Sequence, residues 1–415
     1  MKKIIGILKT ETIKDSFVVA LGLGASAIIG FVYTILLARS LGPINFGVYS
    51  ALTALATIVY SLGEMGISNS LINFLPKHTT ERYQYLSTSF WLEFTIGVFI
   101  FILFAVFSLF NQRIVPGSLG TDVLLAGVLA FNYLLIIYTQ GVFTSDRKFW
   151  SLTFSQIIDS AAKILIVLFI FKMGNLSIGT ALIANIISTL IALLITFGKE
   201  LYQIEFDFFK KPFWNIFHFA KWIALSRVFT VMISRIDIVL LNIFAGSFSA
   251  GIYSAASRVT ILFAMMAAGL GSVINPRFSS FDDHHKILSY MKKLLYLVSG
   301  VAVLMIGISF FATPIITLVY GEKYLESIGV FRYLVLAMIP FLYTVVFNSV
   351  IIYGYNKVSY FTKMMAIQTT IIIVLDLILI PAVNFNAPAI ALFASNIFVL
   401  LASTLKIRLL LHEKR

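Results

Sequence analysis

The sequence carries GPINFGVYSALTAL at Gly42–Leu55 and GSFSAGIYSAASRV at Gly246–Val259. Set against each other without gaps, Gly42 meets Gly246 and Gly47 meets Gly251. Tyr49, Ser50 and Ala51 then meet Tyr253, Ser254 and Ala255, at an offset of 204 positions. Each copy follows one long apolar run and opens another, as a glycine-punctuated turn feeding a helix does. A weaker echo lies 210 positions apart, where SDRKFW at Ser145–Trp150 and YNKVSY at Tyr355–Tyr360 both read as basic-aromatic turns. A long-period repeat in an apolar chain predicts two related halves, the organisation of many membrane transporters.

Composition fixes the class. Of the 415 residues, 60% are hydrophobic and 12% charged, against a soluble norm of roughly 45–50% and 25%. Apolar runs of about 20 residues, enough to cross a bilayer core, recur along the whole length. The net charge of +13 does not point to nucleic acid. Its Lys and Arg form no stripe interleaved with exposed aromatics and gather in alternate short loops. With no cysteine, disulfides and thiolate metal sites are excluded, and no cofactor motif is readable. The start, MKKIIGILKTETIKD, resembles a signal-peptide n-region. The apolar run from Phe17 to Ala38 is longer than an h-region and lacks a cleavage site, so it predicts an uncleaved first span.

The pattern predicts an all-α polytopic membrane protein of twelve transmembrane helices, because irregular backbone cannot face lipid unsatisfied. The spans fall near Ser16–Ala38, Phe46–Phe74, Tyr85–Phe110, Val123–Phe143, Trp150–Phe171 and Ile178–Phe197. They continue near Phe217–Phe244, Gly251–Ile274, Leu288–Thr313, Gly329–Gly354, Phe361–Ile380 and Ala387–Leu411. They divide into a six-helix lobe over 1–198, a linker over 199–213 and a second six-helix lobe over 214–415. The amino terminus, the even-numbered connections and the carboxyl tail hold 22 Lys and Arg, whereas the odd-numbered connections hold Arg39, Arg113, Lys172, Lys323 and Arg332. That bias places both termini in the cytoplasm. The linker, KELYQIEFDFFKK, reads either as a helix lying on the cytoplasmic membrane face or as a solvated tether.

Polar groups inside the spans are the candidate functional residues. Ser50, Thr53, Thr57, Ser61, Glu64 and Ser68 step by three and four along the second span. They either line a cavity or, for the hydroxyls, bond their own backbone. On the fifth span Gln156, Asp159 and Lys163 share a face, with Asp159 and Lys163 in the favourable order for an ion pair. That pair serves either mutual neutralisation or function. The seventh span carries Lys221, Arg227, Arg235 and Asp237, and the eighth adds Arg258. Guanidinium cannot shed its proton, so each arginine needs a carboxylate or a bound anion. If Arg227, Arg235 and Arg258 converge, they suit a phosphate. Glu64, Asp159, Lys163 and Asp237 are candidates for coupling to an ion. Gly22, Ser26 and Gly30 predict a close helix-packing face, and Asp282-Asp283-His284-His285 predicts a solvated loop rather than a metal site.

Two segments carry a family resemblance. ARSLGPINFGVYSALTALATIVYSLGEMGISNSLINFLPK, Ala38–Lys77, and SRIDIVLLNIFAGSFSAGIYSAASR, Ser234–Arg258, resemble the corresponding stretches of polysaccharide (O-antigen-type) flippases. These belong to the multidrug/oligosaccharidyl-lipid/polysaccharide exporter superfamily. The resemblance implies a pair of pseudo-symmetric six-helix lobes in the V shape of the multidrug exporters, set around a central cationic cavity and working by alternating access in the cytoplasmic membrane. It implies a polyprenyl-pyrophosphate-linked oligosaccharide as substrate, the surrounding lipids and polysaccharide polymerase machinery as partners, and H+ or Na+ as coupling cation. Arg227, Arg235 and Arg258 would take the pyrophosphate. Ser50, Thr53, Thr57, Asn132, Gln140 and Gln156 would take the sugar. The rivals are a multidrug or cation antiporter of the same superfamily, which needs an acidic cavity, and a membrane polymerase or ligase, which needs a larger external loop than any here.

Overall fold

The computed structural model describes residues 11–197, 204–205, 207–281 and 283–412. The basic amino-terminal decapeptide, most of the linker's first half, Asp282 and the last three residues of the tail lie outside them. Among the described residues every regular element is helical. Those of eight residues or more are α1 (Glu11–Glu64), α2 (Ile67–Phe74), α3 (Arg82–Leu109), α4 (Gly120–Ser145), α5 (Phe149–Lys172) and α6 (Ile178–Phe197). There follow α7 (Lys210–Ser279), α8 (His284–Phe310), α9 (Ala312–Tyr320), α10 (Ser327–Ser349), α11 (Val358–Val383) and α12 (Ala387–His412). Among the described residues, nine helices or fused helices are long and apolar enough to cross a membrane. Three of these run to 47, 57 and 54 residues, over Val18–Glu64, Ile223–Ser279 and Val358–Leu411, each about twice what one crossing needs. Large apolar side chains such as Leu109, Phe169, Leu194 and Phe310 stand exposed along them, as a lipid-facing surface requires.

The quoted repeat explains two of these long helices; the third is α11 and α12 joined by a 3-10 turn at Asn384–Asn386. Each of α1 and α7 is two helices joined through one non-helical residue, Gly42 at φ 72, ψ 171 and Gly246 at φ 82, ψ 169. That region of backbone space is essentially glycine-only. The expected turn is therefore a single residue rather than a loop. The kinship extends further. Gly117 and Gly321, also 204 positions apart, both have φ 84, and Arg147 and Asn356 both have φ 55. The residues that follow the latter pair, Lys148 (φ −80, ψ 57) and Lys357 (φ −99, ψ 56), open α5 and α11 alike. Gly174 and Asn384 complete the series with φ 73 and 48.

One left-handed step has no counterpart in the second repeat. Met65 and Gly66, at φ 49 and 84, break the second span into α1 and α2, where the sequence predicts an unbroken helix from Phe46 to Phe74. In the second repeat α7 runs on to Ser279. Other boundaries differ little. The expected ninth span ends earlier, at Phe310, and a separate short helix follows; α10 closes through a π turn at Val350–Gly354.

By internal contacts the chain forms two compact units. One holds the described residues up to Leu41 together with Leu52–Val231; the other holds Gly42–Ala51 and everything from Met232 on. The first 22 residues of α7 thus pack with the first unit, and the ten residues after the Gly42 kink pack with the second. Compactness does not follow the repeat boundary drawn at 199–213. In the second unit Gly47 lies against the Ser247 carbonyl and Gly251 against that of Pro43, so the two copies of the repeated stretch touch backbone to backbone. In the first unit Ile67, Leu71, Leu75, Tyr85, Tyr138 and Ile216 form a buried cluster where α2, α3, α4 and α7 meet.

Of the linker's described residues, those from Lys210 on open α7. Residues 204–205 and 207–209 are not helical. They are pinned to α3, with Glu205 N–H donating to Ser87 Oγ at 2.9 Å, Trp91 Nε1 to the Glu205 carbonyl at 2.9 Å, and Phe209 N–H to Thr88 Oγ1 at 3.2 Å. The packing face expected of Gly22, Ser26 and Gly30 holds at Gly22, which abuts Thr153, and lapses at Gly30, beside which space is open. Asp283 caps α8 by accepting from His285 N–H at 3.0 Å.

Candidate functional site

The first unit contains a cavity of about 600 Å3. The break at Met65–Gly66 builds one wall of it. Gly66 has no side chain to keep α7 away, and a Cβ there would lie 2.9 Å from Ile223 Cβ. Gly141 of α4 approaches Ser68 as closely, at 2.9 Å for the same construction. Three helices therefore converge at the break. Arg227, one turn beyond Ile223 on the same face of α7, forms an ion pair with Glu64. Glu64 is completely buried, whereas a third of the Arg227 side chain is exposed and it lines the cavity. Glu64 also accepts from Gly66 N–H at 2.8 Å, from Ser68 N–H at 2.9 Å and from the Ser68 hydroxyl.

Another wall is α5, where Gln156 and Asp159 line the cavity. Asp159 accepts from Lys163 Nζ at 3.1 Å and from Ser188 Oγ at 2.9 Å, so the expected i,i+4 pair forms. Lys163 Nζ also sits 5.9 Å from the centre of the Tyr33 ring, a cation–π distance. Tyr60 and Tyr133, with ring centres 5.2 Å apart, and the amides Asn69 and Gln140 complete a wall of neutral hydrogen-bonding groups. Such a surface can hold hydroxyls and one anionic group beside Arg227.

Not every candidate reaches this cavity. Thr57 donates to the Thr53 carbonyl at 2.7 Å, the backbone-bonding alternative for that hydroxyl. Neither Thr53 nor Thr57 is among the lining residues. Ser50 is fully buried and belongs to the second unit. Ser68 does line the cavity, but from α2 rather than from a continuation of the second span.

Arg235, Asp237 and Arg258 lie in the second unit. Tyr253, the repeat partner of Tyr49, donates its hydroxyl to Asp237, which also accepts from Ile238 N–H at 2.8 Å. Arg235 is within electrostatic reach of Asp237 and Tyr253. Asp376 of α11 is within reach of Asp237, is wholly buried and has neither carboxylate oxygen hydrogen-bonded. Among the described residues no carboxylate pairs with Arg258, whose charge is felt at the buried Tyr320 hydroxyl. Sequence reading missed Gly66 and Tyr253. The glycine in GEMG was a visible break signal, and the repeat alignment already marked Tyr253. No cluster of three or more acids and histidines that could hold a metal occurs among the described residues.

The profile of the family described as "Polysaccharide biosynthesis protein" matches residues 12–282. A putative O-antigen transporter of Shigella flexneri is 26% identical over 330 residues, covering 74% of this chain and 78% of that one. Among solved structures, the lipid II flippase MurJ in an inward closed conformation superposes with a TM-score of 0.77 at 16% identity, over 94% of this chain and 87% of that one. An inward-facing multidrug transporter of the MATE family superposes with a TM-score of 0.74 at 15% identity, over 92% and 94%. These likenesses give the fold. The chain belongs to the polysaccharide biosynthesis protein family, as a multi-pass membrane transporter with the multidrug/oligosaccharidyl-lipid/polysaccharide exporter fold, and not as an enzyme.

Proposed function

We propose that the protein is a flippase. It carries a polyprenyl-pyrophosphate-linked oligosaccharide, the repeat unit of an O-antigen or another surface polysaccharide, from the inner to the outer leaflet of the cytoplasmic membrane by alternating access. The observation that carries this reading is the first unit's cavity, in which the partly exposed Arg227 stands among neutral amides, hydroxyls and two tyrosine rings. Sugar hydroxyls need the latter groups and a phosphate needs the former. The cations assigned to pyrophosphate are Arg227 in the first unit and Arg235 and Arg258 in the second. Gln156 leads the sugar contacts, with Ser50, Thr53 and Thr57 available only if their helix turns.

In this reading the three double-length helices each cross twice, giving twelve spans in two repeats of six, with both termini cytoplasmic by the charge bias. The coupling cation, H+ or Na+, is assigned first to Asp237, because Asp376 beside it keeps two unpaired oxygens in the interior. Glu64 and the Asp159–Lys163 pair are the alternative coupling groups, each already holding a cationic side chain. A polysaccharide polymerase on the outer face is the partner that would consume the product. The rival antiporter of cationic drugs needs an unneutralised acid in the cavity, and Asp159 is neutralised by Lys163.

Replacing Arg227 by Ala in the native host tests the reading. Surface polysaccharide should be lost while the amount of protein in the membrane is unchanged. Normal polymer in that variant would defeat the anion site.

A further inference from the structure

The feature that distinguishes the two repeats lies next to the cavity's cation. Of the left-handed backbone steps among the described residues, only Met65–Gly66 lacks a partner about half a chain away. It sits immediately after Glu64 and turns three donors back onto that carboxylate: Gly66 N–H, Ser68 N–H and the Ser68 hydroxyl. A buried carboxylate left without partners is costly. This one has three from its own chain before Arg227 is counted. Its charge therefore stays compensated whether or not the guanidinium is in place.

Arg227 is differently held. It meets Glu64 through one terminal nitrogen, Nη1, and a third of the side chain is exposed toward the cavity. Guanidinium has five N–H donors in a planar fork, so most of its capacity is left for another anion. A phosphate oxygen pair arriving beside it can take the fork bidentately, which a carboxylate touching a single nitrogen does not.

We propose that Glu64 and Arg227 form an exchangeable lock. The guanidinium transfers from Glu64 to phosphate oxygens of the incoming substrate, the turn at 65–68 holds the vacated carboxylate as an anion, and the return of Arg227 to Glu64 expels the anion. Glu64 is then a positioning residue whose role is to weaken anion binding enough for release, since a carrier that binds too tightly cannot unload. No proton moves in this step. The inference rests on the reading of the substrate as a pyrophosphate-linked lipid.

The test uses the full chain in detergent, with inorganic pyrophosphate as probe and binding followed by calorimetry. Glu64→Gln keeps the shape and an oxygen for the Ser68 N–H and hydroxyl, gives up the acceptor for Gly66 N–H, and removes the competing charge. It should bind pyrophosphate at least about tenfold more tightly than the native protein, the factor given by 1.4 kcal/mol, and release it more slowly. Arg227→Ala should not bind measurably. If Glu64→Gln binds no more tightly than the native chain while Arg227→Ala has lost binding, the lock is wrong and the anion site survives. If Arg227→Ala binds as the native protein does, or none of the three binds, both fall. Unfolding temperatures without probe are compared first. Should Glu64→Gln unfold early, Glu64→Asp, which withdraws the carboxylate by one methylene, replaces it with the same tighter binding expected.

Discussion

Ile223 stands directly against the bare α-carbon of Gly66: a methyl group on the glycine would lie 2.9 Å from the Ile223 Cβ and 3.4 Å from the Ala220 carbonyl oxygen. The same residue has φ 84, so two independent constraints select glycine. Gly66→Ala should cost about 1–2 kcal/mol for the left-handed backbone alone, and more for the displaced helix. It should also draw Arg227, one turn from Ile223, away from Glu64. We expect a lower unfolding temperature in detergent and loss of surface polysaccharide. Met65→Gly, at a left-handed residue that is exposed, should stabilise by up to about 1 kcal/mol for the converse reason. An unaltered Gly66→Ala protein would show that the break is incidental.

The contact of Gly47 and Gly251 in the second unit gives a second prediction. A Cβ on Gly251 would overlap the Pro43 carbonyl oxygen, and one on Gly47 that of Ser247. Neither obstacle is a side chain that can rotate away. Substitution of either by Ala should separate the two copies of the repeated stretch, at a cost of about 1–3 kcal/mol as in other overpacked interiors. Ala at Gly269, where space is open, is the matched control and should leave the unfolding temperature unchanged. Equal behaviour of the three variants would contradict the backbone contact.

How much of this was legible follows from which forces local sequence records. The repeat was readable because the backbone angles at the two kinks are open essentially to glycine alone and the side chains around them recur. Gly42 and Gly246 accordingly carry the same backbone angles, although the sequence suggested a loop where one residue suffices. Helix extents were readable from apolar run lengths, as at Ile178, where α6 begins as expected. The Asp159–Lys163 pair was readable because both partners sit on one helix. Partner choice between helices was not. Glu64 and Arg227 are 163 positions apart, and nothing local to either says that Gly66 lets α7 come close enough for them to meet. The pinning of the linker was hidden for the same reason, since Ser87, Thr88 and Trp91 look like ordinary residues of a span's first turns.

That pinning predicts protection from proteolysis. Ser87→Ala together with Thr88→Ala removes acceptors for the Glu205 and Phe209 amides, each bond being worth about 1 kcal/mol. Trypsin cleavage after Lys210 (Pro212 protects the bond after Lys211) should become about tenfold faster, with α-helical content unchanged. Lys211 also contacts Glu81 at 3.2 Å, an exposed pair whose loss should matter little. A cleavage rate in the double variant equal to that of the native chain would mean that the linker is free in the membrane-embedded protein.

The last prediction concerns the acids of the second unit. Asp237 is held by the Tyr253 hydroxyl and the Ile238 amide, while Asp376 within its reach has no hydrogen bond to either oxygen. An acid kept bare inside a membrane protein is a functional candidate, and two within mutual reach can share one small cation. Asp376→Asn should therefore abolish the dependence of transport on a Na+ or H+ gradient, measured in proteoliposomes, without removing the protein from the membrane. Tyr253→Phe is the subtler variant. It removes a hydrogen bond to a charged group, worth about 1.5–3 kcal/mol, and leaves Asp237 freer to bind the cation. Half-maximal transport should then need about tenfold less of the coupling ion. Asp237→Asn should behave like Asp376→Asn. If Asp376→Asn transports with native cation dependence, coupling lies elsewhere, and the Asp159–Lys163 pair becomes the place to look.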